Sequence, residues 1–266
     1  MKIKQKISIF IFSIILLLDL AGNGIFTLGT LRVFAQNTDS TPNTVPRTVL
    51  VELFVQGSCT TCPTAEFCLE DMAWEYGTTK FILVQEHLWG DGYDTAETNA
   101  RYNWYVGDGK KGTPDVFING LTKRLQGLSC DCVEGNYECY RDAIDKELTR
   151  LSLLELSASE TLIESDYTIE GTVKNISDTS LEDLAVCGMA GREGDESGLY
   201  NYIQDIFPFQ DMPTLLPGET FSFKFVPEIS LSPESGTDDE EEEIMHLVVF
   251  VQNLETKKVI QSLYIE

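Results

Sequence analysis

The sequence predicts an α/β domain followed by an all-β domain, the second a sandwich of immunoglobulin-like type. Val49–Val55 and Phe81–Gln85 are apolar runs typical of buried strands, and Pro63–Tyr76 between them carries apolar side chains at helical spacing. From about Leu153 the helical period disappears, and short runs of strand-forming residues alternate with turn residues. A chain of 266 residues is also long enough to form two domains.

The first residues have the pattern of a secretory signal. Met1–Lys6 carries three lysines, and Ile7–Leu18 is apolar apart from two serines. Because Val33 and Ala35 place modest or small side chains at the positions that a signal peptidase reads, we expect cleavage after Ala35, giving a signal peptide over residues 1–35. An uncleaved membrane anchor is the alternative. Both place the folded part outside the cytoplasm, as a secreted, periplasmic or cell-surface protein, with no membrane contact beyond this segment.

A polar linker is expected over residues 36–47, followed by the α/β domain over residues 48–152. Strand, helix and strand at this length form a βαβ unit, whose crossover is right-handed and leaves the two strands parallel. Asn119-Gly120 is a strong tight-turn signal. The elements expected after the βαβ unit are a helix over Thr95–Tyr105, a strand over Asp115–Ile118, its hairpin partner near Leu121–Leu125 and a closing helix over Tyr137–Leu151.

The all-β domain is expected over residues 153–266. Clusters of Asn, Asp, Gly and Pro separate its strand-like runs, which is the spacing of an antiparallel sandwich. The expected strands are Leu154–Ala158, Tyr167–Val173, Leu184–Met189, Phe221–Val226, Ile244–Val251 and Val259–Ile265.

Composition excludes several classes of function. The chain has 43 acidic and 19 basic residues, and its formal net charge of -24 excludes a sequence-independent grip on nucleic acid. It has only two histidines, so a three-histidine metal site cannot be built. We expect no cofactor and no bound metal. The chain has seven cysteines, and their spacing is informative. Paired cysteines outside the cytoplasm are normally oxidised unless their geometry allows exchange.

Cys59-Thr60-Thr61-Cys62 lies between the first predicted strand and the first turn of the helix. Unpaired N–H groups and the helix dipole stabilise a thiolate at the first cysteine, and the second is near enough to resolve a mixed disulfide. Pro63 is tolerated there, since first-turn N–H groups have no helical partner. A bare C-x-x-C is weak evidence, but its position between strand and helix points to thiol–disulfide exchange.

Gly112-Thr113-Pro114 comes immediately before the predicted strand at Asp115. An X-Pro bond leading into an edge hairpin is a candidate cis peptide, which would bring the backbone of Thr113 beside the cysteines for pairing with an extended substrate. An ordinary trans proline that begins a strand is the alternative.

These residues resemble the thioredoxin fold over Val49–Gly120. The resemblance lies in Leu-Val-Glu-Leu-Phe before Cys-Thr-Thr-Cys-Pro and Thr-Pro-Asp-Val-Phe-Ile-Asn-Gly after it. Glu52-Leu53-Phe54, Gly57, Cys59–Pro63, His87 and Trp89 are similar, more narrowly, to secreted bacterial thioredoxin-like proteins of undefined function. The resemblance implies that Cys59 is the attacking thiol, Cys62 the resolving thiol and Pro114 the cis-proline. Thr-Thr replaces the Gly-Pro of thioredoxin and the loop before Cys59 is one residue longer, which leaves redox potential and direction open.

Two further residues are candidates for proton transfer. Thioredoxin has a buried carboxylate on the first strand that helps to take the proton of the resolving cysteine, and Glu52 could do so for Cys62 with a raised pKa; its alternative is an exposed glutamate at a strand end. His87 follows the second parallel strand and should reach the edge that carries the cysteines. A proton-shuttling role for His87 competes with simple packing beside Trp89, which we favour.

Four more cysteines belong to the α/β domain and are candidates for structural disulfides. Cys130 and Cys132 are too close for an easy mutual bond, so each is expected to pair with Cys68 or Cys139. A zinc site built from these thiolates is a poorly spaced alternative.

The leading hypothesis is an extracytoplasmic thiol–disulfide oxidoreductase whose substrates are protein thiols or disulfides. The rival is a non-enzymatic secreted binding module in which Cys59 and Cys62 form a static bridge and the sandwich contacts a protein or glycan. No residue pattern in the sequence indicates the substrate, the redox direction, the oligomeric state or the role of the all-β domain.

Overall fold

The computed structural model describes residues 44–127, 138–163, 166–193, 200–227 and 245–265. The predicted signal segment and most of the linker lie outside these residues. Within them the chain is rich in β-structure and forms a mixed sheet, one part of which carries helices. No helix in the described ranges is both long enough and apolar enough to span a membrane.

The helices are short and the strands are numerous. The helices are α1 (Cys62–Tyr76), α2 (Ala96–Val106) and α3 (Glu138–Leu148). The strands up to the end of α3 are β1 (Val45–Pro46), β2 (Val49–Val55), β3 (Phe81–His87), β4 (Asp115–Ile118) and β5 (Lys123–Gln126). The later strands are β6 (Leu151–Ser152), β7 (Leu154–Ile163), β8 (Asp166–Asn175), β9 (Leu184–Arg192), β10 (Tyr202–Asp211), β11 (Thr220–Phe225), β12 (Met245–Asn253) and β13 (Val259–Ile265).

The α/β part is built around β2, which is buried along its whole length. It pairs in parallel with β3 and antiparallel with β4, and β4 pairs with β5. Side chains alternate along a strand, so the two faces of β2 meet different helices. Val51 and Leu53 share a core cluster with residues of α1 and α3, whereas Phe54 on the opposite face packs with Tyr102 and Tyr105 of α2.

The helix termini follow local chemistry. Pro63 lies in the first turn of α1, where its missing N–H removes no helical bond, and Gly77 ends the helix at φ 73°. Thr95 and Thr98 form a reciprocal capping box at the start of α2. The predicted closing helix ends at Leu148 rather than Leu151, because Leu151 and Ser152 pair instead with β1.

The main sheet has eight strands in the order β13-β12-β9-β10-β3-β2-β4-β5. In the middle of this sheet β10 lies between β9 and β3. The sequence pattern did not predict this strand. β10 pairs antiparallel with β9 along its length and in parallel with β3 at Tyr202 and Gln85. Two register shifts in the β9 pairing, together with Pro208, disturb the alternation of apolar and polar residues, which explains why the strand was missed.

A second sheet, in the order β11-β8-β7, packs against one face of the main sheet. Side chains from both sheets share one apolar layer, including Leu154, Val173 and Phe223 from the smaller sheet and Val186 and Val249 from the larger. The described residues form one compact unit, within which the expected boundary at residue 153 falls between β6 and β7. The division into two domains stays a prediction, and the sheet continues across it.

Candidate redox site

Cys59 and Cys62 form a disulfide, with their Cα atoms 5.5 Å apart. Cys62 is the first residue of α1 and is only 2% exposed, whereas Cys59 precedes the helix and is partly exposed. Cys59 is therefore the more accessible sulfur of the pair. The prediction that the pair lies where a helix begins is confirmed.

The start of α1 directs hydrogen-bond donors towards Cys59. The N–H of Cys62 lies 3.1 Å from the Sγ atom of Cys59, and the Oγ1 atom of Thr61 lies 3.7 Å from it. Thr61 occupies the N-cap position without a side-chain capping bond, so its side chain leaves the first N–H groups unoccupied. Such donors, together with the helix dipole, favour a negative charge on the sulfur when the disulfide is reduced.

The peptide bond between Thr113 and Pro114 is cis, as predicted. Asp115, the next residue, pairs with Phe54 of β2, and β2 runs on from Phe54 towards Cys59. Because this pairing is antiparallel, Pro114 and the cysteine loop lie at the same end of the sheet.

Side chains anchor the segment that carries the cis bond. The N–H of Gly112 donates to the hydroxyl of Tyr102 at 2.9 Å, and that hydroxyl also lies 2.9 Å from the carboxylate of Asp115. Asp115 is fully buried and forms an ion pair with Arg124. Burial raises the pKa of Asp115, and hydrogen bonds from Arg124 and Tyr102 oppose the rise.

Glu52 lies on the face of β2 opposite the cysteines. It accepts hydrogen bonds from Arg101 and, at 2.7 Å, from the hydroxyl of Tyr105, whereas Cys62 packs in the cluster on the α1 face. The alternative of an exposed glutamate is wrong, because Glu52 is fully buried. Glu52 and Cys62 therefore lie on opposite faces of β2, and a role for Glu52 in taking the proton of Cys62 stays a prediction.

Glu52 belongs to a buried charge cluster that also contains Glu86 and Arg101. Burial raises the pKa of Glu86 well above its ordinary value, and the charge of Glu52 adds to the shift. Burial opposes the charge on Arg101, but the neighbouring Glu52, Tyr105 and Glu86 outweigh it and raise the pKa of this guanidinium. Arg101 thus pairs with a carboxyl group of β2 and lies close to one of β3 inside the fold.

His87 ends β3 and is 6% exposed. Its Nδ1 atom lies 2.7 Å from the Oδ2 atom of Asp91, and its ring contacts Tyr93 and Tyr202 at centroid distances of 5.2 and 6.3 Å. We expected His87 to pack beside Trp89. His87 is indeed packed, but its described ring contacts are with the two tyrosines. Trp89 contacts Tyr102 instead.

Sequence reasoning missed two carboxyl groups on this side of the sheet. Asp91 accepts a hydrogen bond from the N–H of Gly57 at 3.0 Å as well as contacting His87. Glu66 lies one helical turn after Cys62, and burial, with a smaller contribution from the charge of Glu70, raises its pKa to about 7. The available signals were the Gly-Asp-Gly turn around Asp91 and the spacing of four residues between Cys62 and Glu66.

The other cysteines are only partly described. Cys139 on α3 is disulfide-bonded, and Cys68 on α1 is 2% exposed within the core. Cys130 and Cys132 lie outside the described residues, so the connectivity among the four stays a prediction. Cys187 on β9 is buried among apolar side chains, and burial raises the pKa of its thiol to about 12.

No protein-family model and no curated protein matches the sequence. Among solved structures, HBP35 of Porphyromonas gingivalis is similar in fold, with a TM-score of 0.57 and 18% sequence identity over 82% of this chain and 74% of that one. A domain of the outer membrane lipoprotein Omp28 from Porphyromonas gingivalis matches 43% of this chain and 88% of its own at 14% identity and a TM-score of 0.29. The Escherichia coli curli protein CsgC matches 42% of this chain and 93% of its own at 20% identity and a TM-score of 0.22. The likeness to HBP35 concerns the fold alone, and the other two likenesses are local.

Proposed function

We propose that the chain is an extracytoplasmic thiol–disulfide oxidoreductase that uses Cys59 and Cys62. The observation that carries this proposal is a disulfide at the start of α1, at the same end of the sheet as the cis bond between Thr113 and Pro114. A partly exposed sulfur supported by helix N–H groups is suited to attack on, and by, other thiols.

We also propose that the first half of the chain is a thioredoxin-like domain and the second an immunoglobulin-like sandwich. The order of β2, α1, β3, α2, β4, β5 and α3, with helices on both faces of the sheet, supports the first assignment. Two sheets that share an apolar layer support the second. The proposed boundaries are residues 48–152 and 153–266.

In the oxidised protein the reaction begins with a substrate thiolate that attacks Cys59. The bond between Cys59 and Cys62 breaks, Cys62 leaves as a thiolate and takes up a proton, and a mixed disulfide joins Cys59 to the substrate. A second substrate thiolate then attacks the substrate sulfur of the mixed disulfide and releases Cys59. The substrate loses two electrons and gains a disulfide, while the protein becomes the dithiol. The reverse sequence reduces a substrate disulfide.

Protein thiols and disulfides are the proposed substrates, and Thr113 is the residue proposed to receive them. An extended polypeptide could pair with its backbone, as peptides add to an exposed strand edge. The nearby Trp89 and Tyr93 are 45% and 40% exposed, leaving aromatic surface available to a polypeptide on this side of the molecule.

Insulin reduction in the presence of dithiothreitol tests the proposal. We expect the purified protein to accelerate the reaction, Cys59→Ser to abolish the acceleration, and Cys187→Ser to retain it because Cys187 is buried on β9, away from the redox pair. A wild-type rate no higher than that of Cys59→Ser would indicate instead a binding module with a static bridge.

Alkylation of the reduced protein at different pH values provides a second measurement. If helix N–H groups support the Cys59 thiolate, its alkylation should reach half-maximum below about pH 8, since an ordinary cysteine has a pKa of about 8.5. An unshifted titration would count against catalysis. The reduction potential against glutathione would then give the direction of the reaction.

A further inference from the structure

The loop between β3 and α2 has a strained backbone. Trp89 adopts φ 60°, a left-handed conformation that is unfavourable for a bulky side chain, and Gly92 follows at φ 100°. Such strained conformations persist only where the surrounding structure enforces them, and they cluster at functional sites. Here the bent loop turns the side chain of Asp91 inward, where it is only 2% exposed.

The carboxylate of Asp91 joins three segments. Its Oδ2 atom accepts the N–H of Gly57 at 3.0 Å and lies 2.7 Å from Nδ1 of His87, and its Oδ1 atom accepts the N–H of Tyr93 at 3.0 Å. Burying a carboxylate is unfavourable unless it is paired and hydrogen-bonded, and these three contacts meet that requirement. The same carboxylate therefore ties its own loop to the end of β3 and to the loop that carries Cys59.

Asp91 contacts the loop that carries Cys59 through the N–H of Gly57. This glycine lies two residues before Cys59, whose N–H donates to the carbonyl of Gln56 at 2.8 Å and closes a tight turn around Gly57. A methyl group at Gly57 would lie 3.3 Å from the Cβ atom of Asp91, so the two residues are in close contact as well as hydrogen-bonded. Displacing Asp91 would release this turn and, with it, the position of the Cys59 sulfur relative to the N–H of Cys62.

We propose that Asp91 is the positioning residue of the redox pair, holding the Cys59 loop through Gly57 while it orients the ring of His87. This inference rests on the proposed thiol–disulfide exchange. Asp91 itself exchanges no proton or electron; it keeps the sulfur of Cys59 at the start of α1, where the Cys62 N–H supports the thiolate. With Nδ1 facing Asp91, the Nε2 atom of His87 is buried and has no hydrogen-bond partner among the described residues.

The test compares Asp91→Ala and Asp91→Asn with Asp94→Ala. Asp94 is a matched control because it is a carboxylate of the same loop whose described hydrogen bonds, from Asn99 at 2.8 Å and from the backbone of Gly90 and Gly92, do not reach Gly57. In reduced Asp91→Ala we expect the pH midpoint of Cys59 alkylation to rise by about one unit, as the thiolate loses its donor. We expect insulin reduction to slow about tenfold, since misplacement of a reacting group by 1 Å can cost ~10²-fold. Asp91→Asn should fall between, because its amide oxygen can still accept from Gly57.

The proposal would be overturned if Asp91→Ala and Asp94→Ala had the same pH midpoint of Cys59 alkylation and the same rate of insulin reduction. Should Asp91→Ala fail to fold, as judged by circular dichroism, Asp91→Asn and Gly57→Ala carry the test. Gly57→Ala pushes on Asp91 from the opposite side and should move the midpoint in the same direction. An unchanged midpoint in both variants would equally contradict the proposal.

Hydrogen exchange separates this inference from the proposed function. If the wild-type protein does not reduce insulin, the oxidoreductase proposal fails, but amide exchange over residues 56–59 still reports on the loop. Faster exchange there in Asp91→Ala than in Asp94→Ala would support the positioning role. Equal protection in the two variants would refute it, whatever the activity of the wild type.

Discussion

At the scale of single residues, Glu66 shows how a half-buried carboxyl makes stability depend on pH. Burial raises its pKa to about 7 from an ordinary 4.5, with a smaller contribution from Glu70. Between these two values the folded state retains a proton that the unfolded chain has released. The contribution of Glu66 to the free energy of unfolding is therefore complete below about pH 4.5 and is lost as the pH rises to about 7.

We expect Glu66→Gln to flatten the pH dependence of stability in this interval. Urea unfolding midpoints measured from pH 4 to pH 8 check the expectation, with Glu97→Gln on α2 as an exposed control. A slope that is as steep in Glu66→Gln as in the wild type would show that Glu66 does not retain its proton.

At the scale of elements, the capping box at the start of α2 provides a local test. The Oγ1 atom of Thr95 accepts the N–H of Thr98 at 3.1 Å, and the Oγ1 atom of Thr98 accepts the N–H of Thr95 at 3.0 Å. We expect Thr95→Ala to lower the free energy of unfolding by about 1 kcal/mol, because an N–H group of the first turn loses its partner. Thr95→Ser keeps an acceptor and should retain most of the stability in the same urea titration.

The pairing of β8 with its two neighbours sets a second test at this scale. An ideal Cβ atom at Gly171 would lie 2.3 Å from the carbonyl oxygen of Ser157 on β7 and 2.4 Å from Cζ of Phe223 on β11. Gly171→Ala should therefore lower the free energy of unfolding by about 1–3 kcal/mol, as overpacking does in other cores. Thr172→Ala, one residue further along β8, is the control, and equal losses in the two variants would contradict the steric explanation.

At the scale of the whole molecule, Arg101 connects the α/β part to the later strands. It pairs with Glu52 on β2, lies 3.9 Å from Glu86 on β3, and its guanidinium lies 3.3 Å from the Oε1 atom of Gln252 on β12. The buried guanidinium thus compensates the charge of Glu52 where the two halves of the sheet meet, and the raised pKa of Glu86 favours the uncharged form of that carboxyl group.

We expect Arg101→Met to destabilise the fold by about 3–5 kcal/mol, because removing one partner leaves buried charge uncompensated. Lys224→Met is the control, since Lys224 and Glu170 form an ion pair in which both side chains are more than half exposed, and loss of such a pair should cost at most ~1 kcal/mol. Denaturant titration of the two variants measures both. A loss below that of Lys224→Met would show that Arg101 does not hold the parts together.

The pattern of apolar and turn residues along the chain was sufficient to predict the strands and the helix that lie next to the site. The bounds of β2 and β4 agree with the apolar runs, and α1 begins within one residue of its predicted start because Pro63 and the following helical spacing mark it. The positions of Cys59 before α1, of Cys62 at its first residue and of Pro114 before β4 follow from the same signals. These features depend on neighbours along the chain, and a sequence records such neighbours directly.

Contacts between distant segments were decided only by the tertiary structure. The alternation along β2 leaves Glu52 on the face away from Cys62, and its partners Arg101 and Tyr105 come from a helix about 50 residues later. Asp91 meets Gly57 because a strained loop turns it inward, and β10 joins two halves of one sheet despite an irregular pattern. The sequence by itself determined the strands and helices next to the site, and it determined that Cys59 and Cys62 lie where α1 begins. Only the packed fold decided which polar groups face them, because burial and pairing of those groups depend on segments that are remote in sequence.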